Sequence, residues 1–163
     1  MLNKSNDEKN AATQIEQIIS SIKNKDRETL KSLFSEKAIN DTKDFDDNID
    51  YLFSFIKGKI DSWNKSSGPT VFDSNDYGHV IKEVNSYFYI TTDEQKYFFL
   101  LRDYPVDTDH SDNVGLYMVL VVRAEDENKI WDENNKIIYD RIIEDGKEKI
   151  VKLTHAGIYI PLK

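Results

Sequence analysis

The chain has 163 residues, a net charge of −8 and no cysteine. That length suits one ordinary core, and the missing cysteine excludes disulfides, thiolate nucleophiles and Cys-ligated metal sites. The 22 basic residues are scattered among 30 acidic ones, which argues against a nucleic-acid partner, because affinity for phosphate backbones comes from clustered Lys and Arg.

Residues 1–10 are polar, lack the apolar core of a signal peptide and are expected to form a flexible tether ahead of a single α+β domain over 11–163. No window approaches the roughly 18 consecutive apolar residues of a membrane span. From Ala11 to Lys23, Ile15, Ile18, Ile19 and Ile22 follow the spacing of one helix face. Asn24-Lys25-Asp26 ends that helix, and Asp26 is placed to cap a second one carrying Leu30, Leu33 and Phe34. Ser35 caps a short turn with Ala38 and Ile39. Asp44 to Lys57 repeats the helical period with Phe45, Ile49, Leu52, Phe53 and Ile56, and Gly58 stops it.

After Gly58 the period changes. Lys59 to Asn64 reads as a short strand, Ser66-Ser67-Gly68-Pro69 as a turn and Asp73 to Gly78 as another. From His79 to Thr91, Val80, Val84, Phe88 and Ile90 take one parity while Tyr87 and Tyr89 take the other, as in a strand. Two apolar runs, Tyr97 to Leu101 and Leu116 to Val122, lie in strands over Gln95 to Val106 and Val114 to Arg123, joined by the polar loop Asp107 to Asn113. Both parities of the later strand are apolar, so it is expected to lie centrally with each face covered. Ile137 to Ile143 and Ile150 to Leu153 form a hairpin around Asp145-Gly146, and Gly157 to Pro161 is a closing edge strand. The order of elements predicts N-terminal helices packed on a curved antiparallel β-sheet.

The helix followed by Asn24-Lys25-Asp26-Arg27-Glu28-Thr29-Leu30-Lys31-Ser32-Leu33-Phe34-Ser35 is similar to the opening of nuclear transport factor 2-like (cystatin-like) domains. The strands Gln95 to Val106 and Asn113 to Asp126, with Gly157-Ile158-Tyr159-Ile160-Pro161, resemble an uncharacterised family of small bacterial lipoproteins with that fold. The resemblance covers about Ala11 to Pro161. It implies export and anchoring through a lipidated cysteine, an expectation that applies to a precursor in which Met1 replaces a removed export segment; with Met1 as the native start, a cytoplasmic protein is expected. No catalytic residues come with it, and fold analogy alone assigns no activity.

Nuclear transport factor 2-like domains often hold a pocket between helices and sheet. Asp103 shares a strand parity with Phe99 and Leu101, so it reads either as a carboxylate of raised pKa at the end of an apolar face or as a strand-end acid, solvated or paired with Arg102 or Arg123. Tyr87, Tyr89, Tyr97, Tyr104 and Tyr117 either line such a pocket or fill a sheet face with their hydroxyls at its wet margin. The candidate ligand-binding set is therefore Tyr87, Tyr89, Tyr97, Asp103 and Tyr117. Asp107 to Asp112 resembles a calcium loop, but it has Asp112 where an EF-hand needs Gly and Met118 where it needs Glu, so a polar turn is expected. His79, His110 and His155 are too dispersed for a zinc set. With no nucleophile, metal or phosphate motif, no cofactor is expected.

The function expected from this pattern is a non-catalytic module that binds a small ligand or a protein. An isomerase, dehydratase or hydrolase using Asp103 with a tyrosine is one alternative, and an acidic inhibitor or immunity-type protein is another. The two-sided apolarity of Val114 to Arg123 also permits a sheet-to-sheet homodimer.

Overall fold

Five buried positions on one face of the first helix, Asp7, Ala11, Ile15, Ile18 and Ile22, set its length. The computed structural model describes residues 2–162. In it α1 runs over Leu2–Asn24, so the segment expected as a tether is helical from Leu2. The apolar period begins only at Ala11 because the preceding position on the same stripe is Asp7, a charged residue buried by pairing with Lys82 Nζ at 2.8 Å. Met1 and Lys163, the outer bounds of the expected tether and domain, lie outside the described residues.

Three shorter helices follow. Asp26 accepts a bond from the Thr29 amide at the start of α2, Arg27–Ser32, and Ser35 accepts one from the Ala38 amide at the start of α3, Glu36–Asp41. Each cap satisfies a backbone donor that the first helical turn leaves open. In α4, Phe45–Phe55, the buried residues Phe45, Ile49, Leu52 and Phe53 form the inward stripe. Gly58, at φ 87, then turns the chain into the sheet.

The fold is α+β, with the helices followed by a curved, open and mostly antiparallel sheet. Its strands are β1 (Ile60–Asp76), β2 (His79–Thr92), β3 (Lys96–Asp107), β4 (Gly115–Arg123) and, at the far edge beyond a short helix α5 (Glu127–Ile130) and the hairpin of β5 (Tyr139–Glu144) and β6 (Lys147–Lys152), β7 (Gly157–Tyr159). The order is β1-β2-β3-β4-β7; β7 runs parallel to β4, while β5 and β6 form a separate two-stranded sheet.

The Ser66 to Pro69 segment is not a turn. It sits within the 17 residues of β1 and is accommodated by shifts of register against β2 between Lys65 and Thr70. A Pro and a Gly are tolerated there because β1 is an edge strand, where a missing amide costs no ladder bond and a bulge absorbs the extra residues. Two further irregularities bear on the site. β3 carries an extra residue between Lys82↔Val106 and Val84↔Asp103, and β4 carries one, Tyr117, between Arg102↔Met118 and Asp103↔Leu116.

The sheet is buried on both faces, as the two-sided apolarity of β4 requires. Toward the helices, Phe88, Ile90, Tyr97, Phe99, Leu101, Leu116, Val119 and Val121 meet the isoleucines of α1 and the aromatics of α4 in one continuous core. On the opposite face, Phe98, Leu100, Met118, Leu120 and Val122 are covered by Ile130, Ile137 and Ile138 of the same chain. The second face, which a sheet-to-sheet homodimer would use, is therefore occupied from within the chain.

Candidate functional site

Side chains pack the core between the helices and the sheet, and the cleft of about 180 Å³ left between α1 and strands β1 and β2 is lined by none of the five candidate residues. Tyr97, 1% exposed, donates its hydroxyl proton to the Phe55 carbonyl at 3.1 Å and accepts from the Lys57 amide at 2.8 Å, closing the end of α4. Asp103 lies on the same face, buried under α1. Burial pushes its carboxyl up to about 6, the nearby Asp7 adds to the rise, and hydrogen bonds from Gln14 and the Tyr104 backbone oppose it. Neither Arg102 nor Arg123 pairs with Asp103: Arg102 points to the opposite face, and Arg123 lies over the Phe55 ring.

The remaining candidate tyrosines are elsewhere. Tyr87 and Tyr89 stand on the face away from the helices, where the Tyr87 hydroxyl meets Thr70 Oγ1 at 2.9 Å and Tyr89 donates to the Glu127 carboxylate, a hydrogen bond that raises the phenol's pKa. Tyr117, the bulged residue, touches both cores and donates to Asp41 Oδ2 at 2.8 Å. Its pKa is raised by burial and by that carboxylate, and Asp41 itself is held low by Lys37 and by the phenol. Among the described residues no tyrosine hydroxyl bonds to Asp103. The five candidates thus divide among three places and form no single pocket.

The loop over Asp107 to Asn113 is a self-capped turn. Asp107 accepts from the amides of Asp109 and His110 and from the Asn113 side chain, and those bonds, the Asn113 amide first, hold its carboxyl below the usual range. Of the three histidines, His79 and His110 both sit at this turn, His79 bonding Asp109 at 2.6 Å and His110 approaching Asp107, while His155 stacks on Tyr159 with ring centroids 3.8 Å apart.

The chemistry gathers on the face away from the helices. Arg102 follows Phe98 and Leu100 on their parity, and it is only 3% exposed. Its Nε donates to Asn85 Oδ1 at 2.8 Å and one terminal nitrogen donates to Thr154 Oγ1 at 2.9 Å. Asn85 donates in turn to Glu83 Oε2 at 2.7 Å, Tyr104 donates to Glu83 Oε1 at 2.9 Å, and Lys152 Nζ reaches Glu83 Oε2 at 2.6 Å. Burial works against the charge on Glu83, but the bonds from Lys152, Asn85 and Tyr104, with the charge of Arg102, outweigh it and hold the carboxyl below its ordinary value. The phenol of Tyr104 is pushed up, by burial first and by Glu83 second. A buried charge without partners costs several kcal/mol, so this ring of bonds is what permits Arg102 to sit inside the fold.

Beside the network lies a cleft of about 210 Å³, lined by Arg102, Asn85 and Lys152 on its polar side and by Phe72, Tyr87, Leu100, Trp131, Ile138 and Tyr139 on its apolar side. Tyr87 meets Trp131 with centroids 6.0 Å apart, and Lys152 Nζ stands 5.0 Å above the Phe72 ring. A wider surface groove of about 680 Å³ runs between α4 and residues 154–160. Its charged residues Asp41, Lys43 and Asp47 are exposed, so it offers no charged group buried as Arg102 is. Sequence reasoning took the Tyr87 wall as a candidate and missed Arg102, Asn85, Glu83, Trp131 and Lys152. The available signal was a charged residue on an otherwise apolar parity of a central strand.

Residues 17–124 match a family described as a domain of unknown function (DUF5104). A search of curated proteins gave no match. The matched region begins inside α1 and ends just past β4, so it holds Glu83, Asn85, Tyr87, Arg102 and Tyr104, while Trp131, Tyr139, Lys152 and Thr154 come from beyond it. With the end of α1, the helices α2 to α4, the first four strands and the Arg102 side of the cleft inside the match, the chain belongs to the DUF5104 family.

Proposed function

We propose that this protein is a non-catalytic binding module of the nuclear transport factor 2-like kind, and that it takes a small ligand in the cleft beside Arg102. The observation that carries this reading is a guanidinium held within the fold by Asn85 and Thr154 and lining a cleft with aromatic walls. Ligand sites are concave, mostly apolar and furnished with a few fixed polar groups, and this cleft has that composition. The enzymatic alternative is disfavoured because Asp103 lies beneath α1, beside Gln14 and Asp7, and among the described residues no tyrosine hydroxyl converges on it.

The resemblance to bacterial lipoproteins supports an exported, lipid-anchored setting for the native precursor. The codons preceding the Met1 codon test that part: a signal segment ending in a cysteine is expected, and its absence overturns the anchor.

The binding reading is tested by titrating a Trp63→Phe variant, which leaves Trp131 as the single indole, with a set of small acids, amides, amines and alcohols. Saturable changes in Trp131 emission together with a raised melting temperature are expected from some members. Silence across the whole set, in both readouts, overturns a small-ligand role for the cleft.

A further inference from the structure

We infer that the Arg102 cleft selects a small monocarboxylate carried on a flat apolar body. This rests on the binding-module reading above and adds the chemical class of the ligand.

Arginine presents five N–H groups in a rigid fork that matches a carboxylate bidentately. Among the described residues, Arg102 spends its Nε on Asn85 and one bond from a terminal nitrogen on Thr154, which leaves N–H groups of both terminal nitrogens without a protein acceptor in a residue that lines the cleft. The two bonds that are made also fix the plane of the fork, so little side-chain entropy is lost when an anion docks.

Two cations, Arg102 and Lys152, share one carboxylate, Glu83, and that carboxylate is already committed to Lys152, Asn85 and Tyr104. The cluster therefore has room for one further negative charge. A phosphate dianion would bring a second charge close to Glu83 in a poorly solvated site, where like charges repel strongly. A neutral ligand would leave the fork of Arg102 without its acceptor.

The shape of the cleft limits the ligand as well. A volume of about 210 Å³ corresponds to roughly seven waters at liquid density, enough for a ligand of benzoate size and too little for a nucleotide. Its walls are Tyr87, Trp131, Tyr139 and Leu100, and the rim residues Phe72 and Trp131 are 58% and 39% exposed, so an apolar body entering the mouth is met by aromatic surface.

The test uses the full ¹⁵N-labelled chain titrated separately with benzoate, benzamide, benzylamine and inorganic phosphate, following the Trp131 indole and Arg102 Nε resonances. Benzoate is expected to saturate both shifts with an affinity on the order of millimolar. Benzamide is expected to bind about tenfold more weakly, because it lacks the charge that the fork recognises. Trp131→Ala, which leaves Arg102 in place, should weaken benzoate about fivefold or more, and Arg102→Gln, checked for folding by circular dichroism, should abolish the preference for benzoate over benzamide.

Equal binding of benzamide or benzylamine overturns recognition by charge, and phosphate that displaces benzoate at comparable concentration overturns the carboxylate class; either result leaves the module reading standing. If none of the four probes moves Trp131, the monocarboxylate inference falls. The module reading falls with it only if the wider set of acids, amides, amines and alcohols is silent too.

Discussion

Asp103 on β3 and Asp7 on α1 meet beneath the first helix, where burial pushes the Asp103 carboxyl up to about 6, hydrogen bonds from Gln14 and the Tyr104 backbone pull against the rise, and the charge of Asp7 adds to it. Asp7 is held in place by Lys82 at 2.8 Å, so the N-terminal half of α1 is tied to β2 by an ion pair and rests on a protonatable acid of β3.

That arrangement fixes the sign of a pH dependence. Between 3.8 and about 6, folded Asp103 retains a proton that the unfolded chain has released, so its contribution to stability is complete below the lower value and is lost as pH rises through the upper one. The full loss is on the order of 3 kcal/mol. Asp103→Asn should therefore be more stable than wild type by about 1–3 kcal/mol at pH 7.5, with the difference shrinking toward pH 4.5. Urea denaturation of both proteins at the two pH values measures this. Carboxyls held low, such as Glu83 and Asp41, lose stability toward acid instead, but they are common to both proteins and cancel in the comparison. A difference independent of pH would refute the buried-acid account.

Tyr97 supports a structural prediction where a ligand role was expected. Its hydroxyl serves the Phe55 carbonyl and the Lys57 amide at the point where α4 ends. Tyr97→Phe keeps the ring contact with Phe55 but removes both bonds, leaving backbone groups near the core without that partner. A loss of about 1–3 kcal/mol is expected in urea denaturation. Benzoate binding should be unchanged, because the residue lies on the face away from the cleft. A stable variant with altered binding would reverse that assignment.

The helices and strands were legible wherever one physical signal dominated. The isoleucine period of α1, the Asp26 and Ser35 caps and the double-sided apolarity of β4 each lead to the structure directly. The misreadings have physical causes as well. A buried ion pair hid the first turns of α1 from a hydropathy pattern, and an edge position allowed β1 to carry the Gly-Pro that elsewhere signals a turn. The site was harder, because it depends on which sheet face each side chain takes and on what returns to cover it. Asp103 and Arg102 are adjacent in sequence but point to opposite faces, and Trp131 and Lys152 reach the cleft, and Thr154 its arginine, from a segment without strong periodicity.

That covering segment carries the last prediction. Ile130, at the end of α5, is fully buried against the face of the sheet away from the helices, together with Ile137 and Ile138. Its neighbour Trp131 forms a cleft wall, so packing of the isoleucine and placement of the indole are coupled. Ile130→Ala should cost about 2–4 kcal/mol through lost burial and the cavity left behind. It should also red-shift Trp131 emission in the Trp63→Phe background, because an indole no longer pressed against Phe98 and Tyr87 gains water. A change of less than about 0.5 kcal/mol would mean that the segment does not seal the sheet in solution. The apolar face of β4 would then be open to a second copy of the chain, a state that light scattering over a dilution series detects. A large cost with the red shift would instead identify residues 127–138 as the element that both completes the second core and builds the outer wall of the cleft.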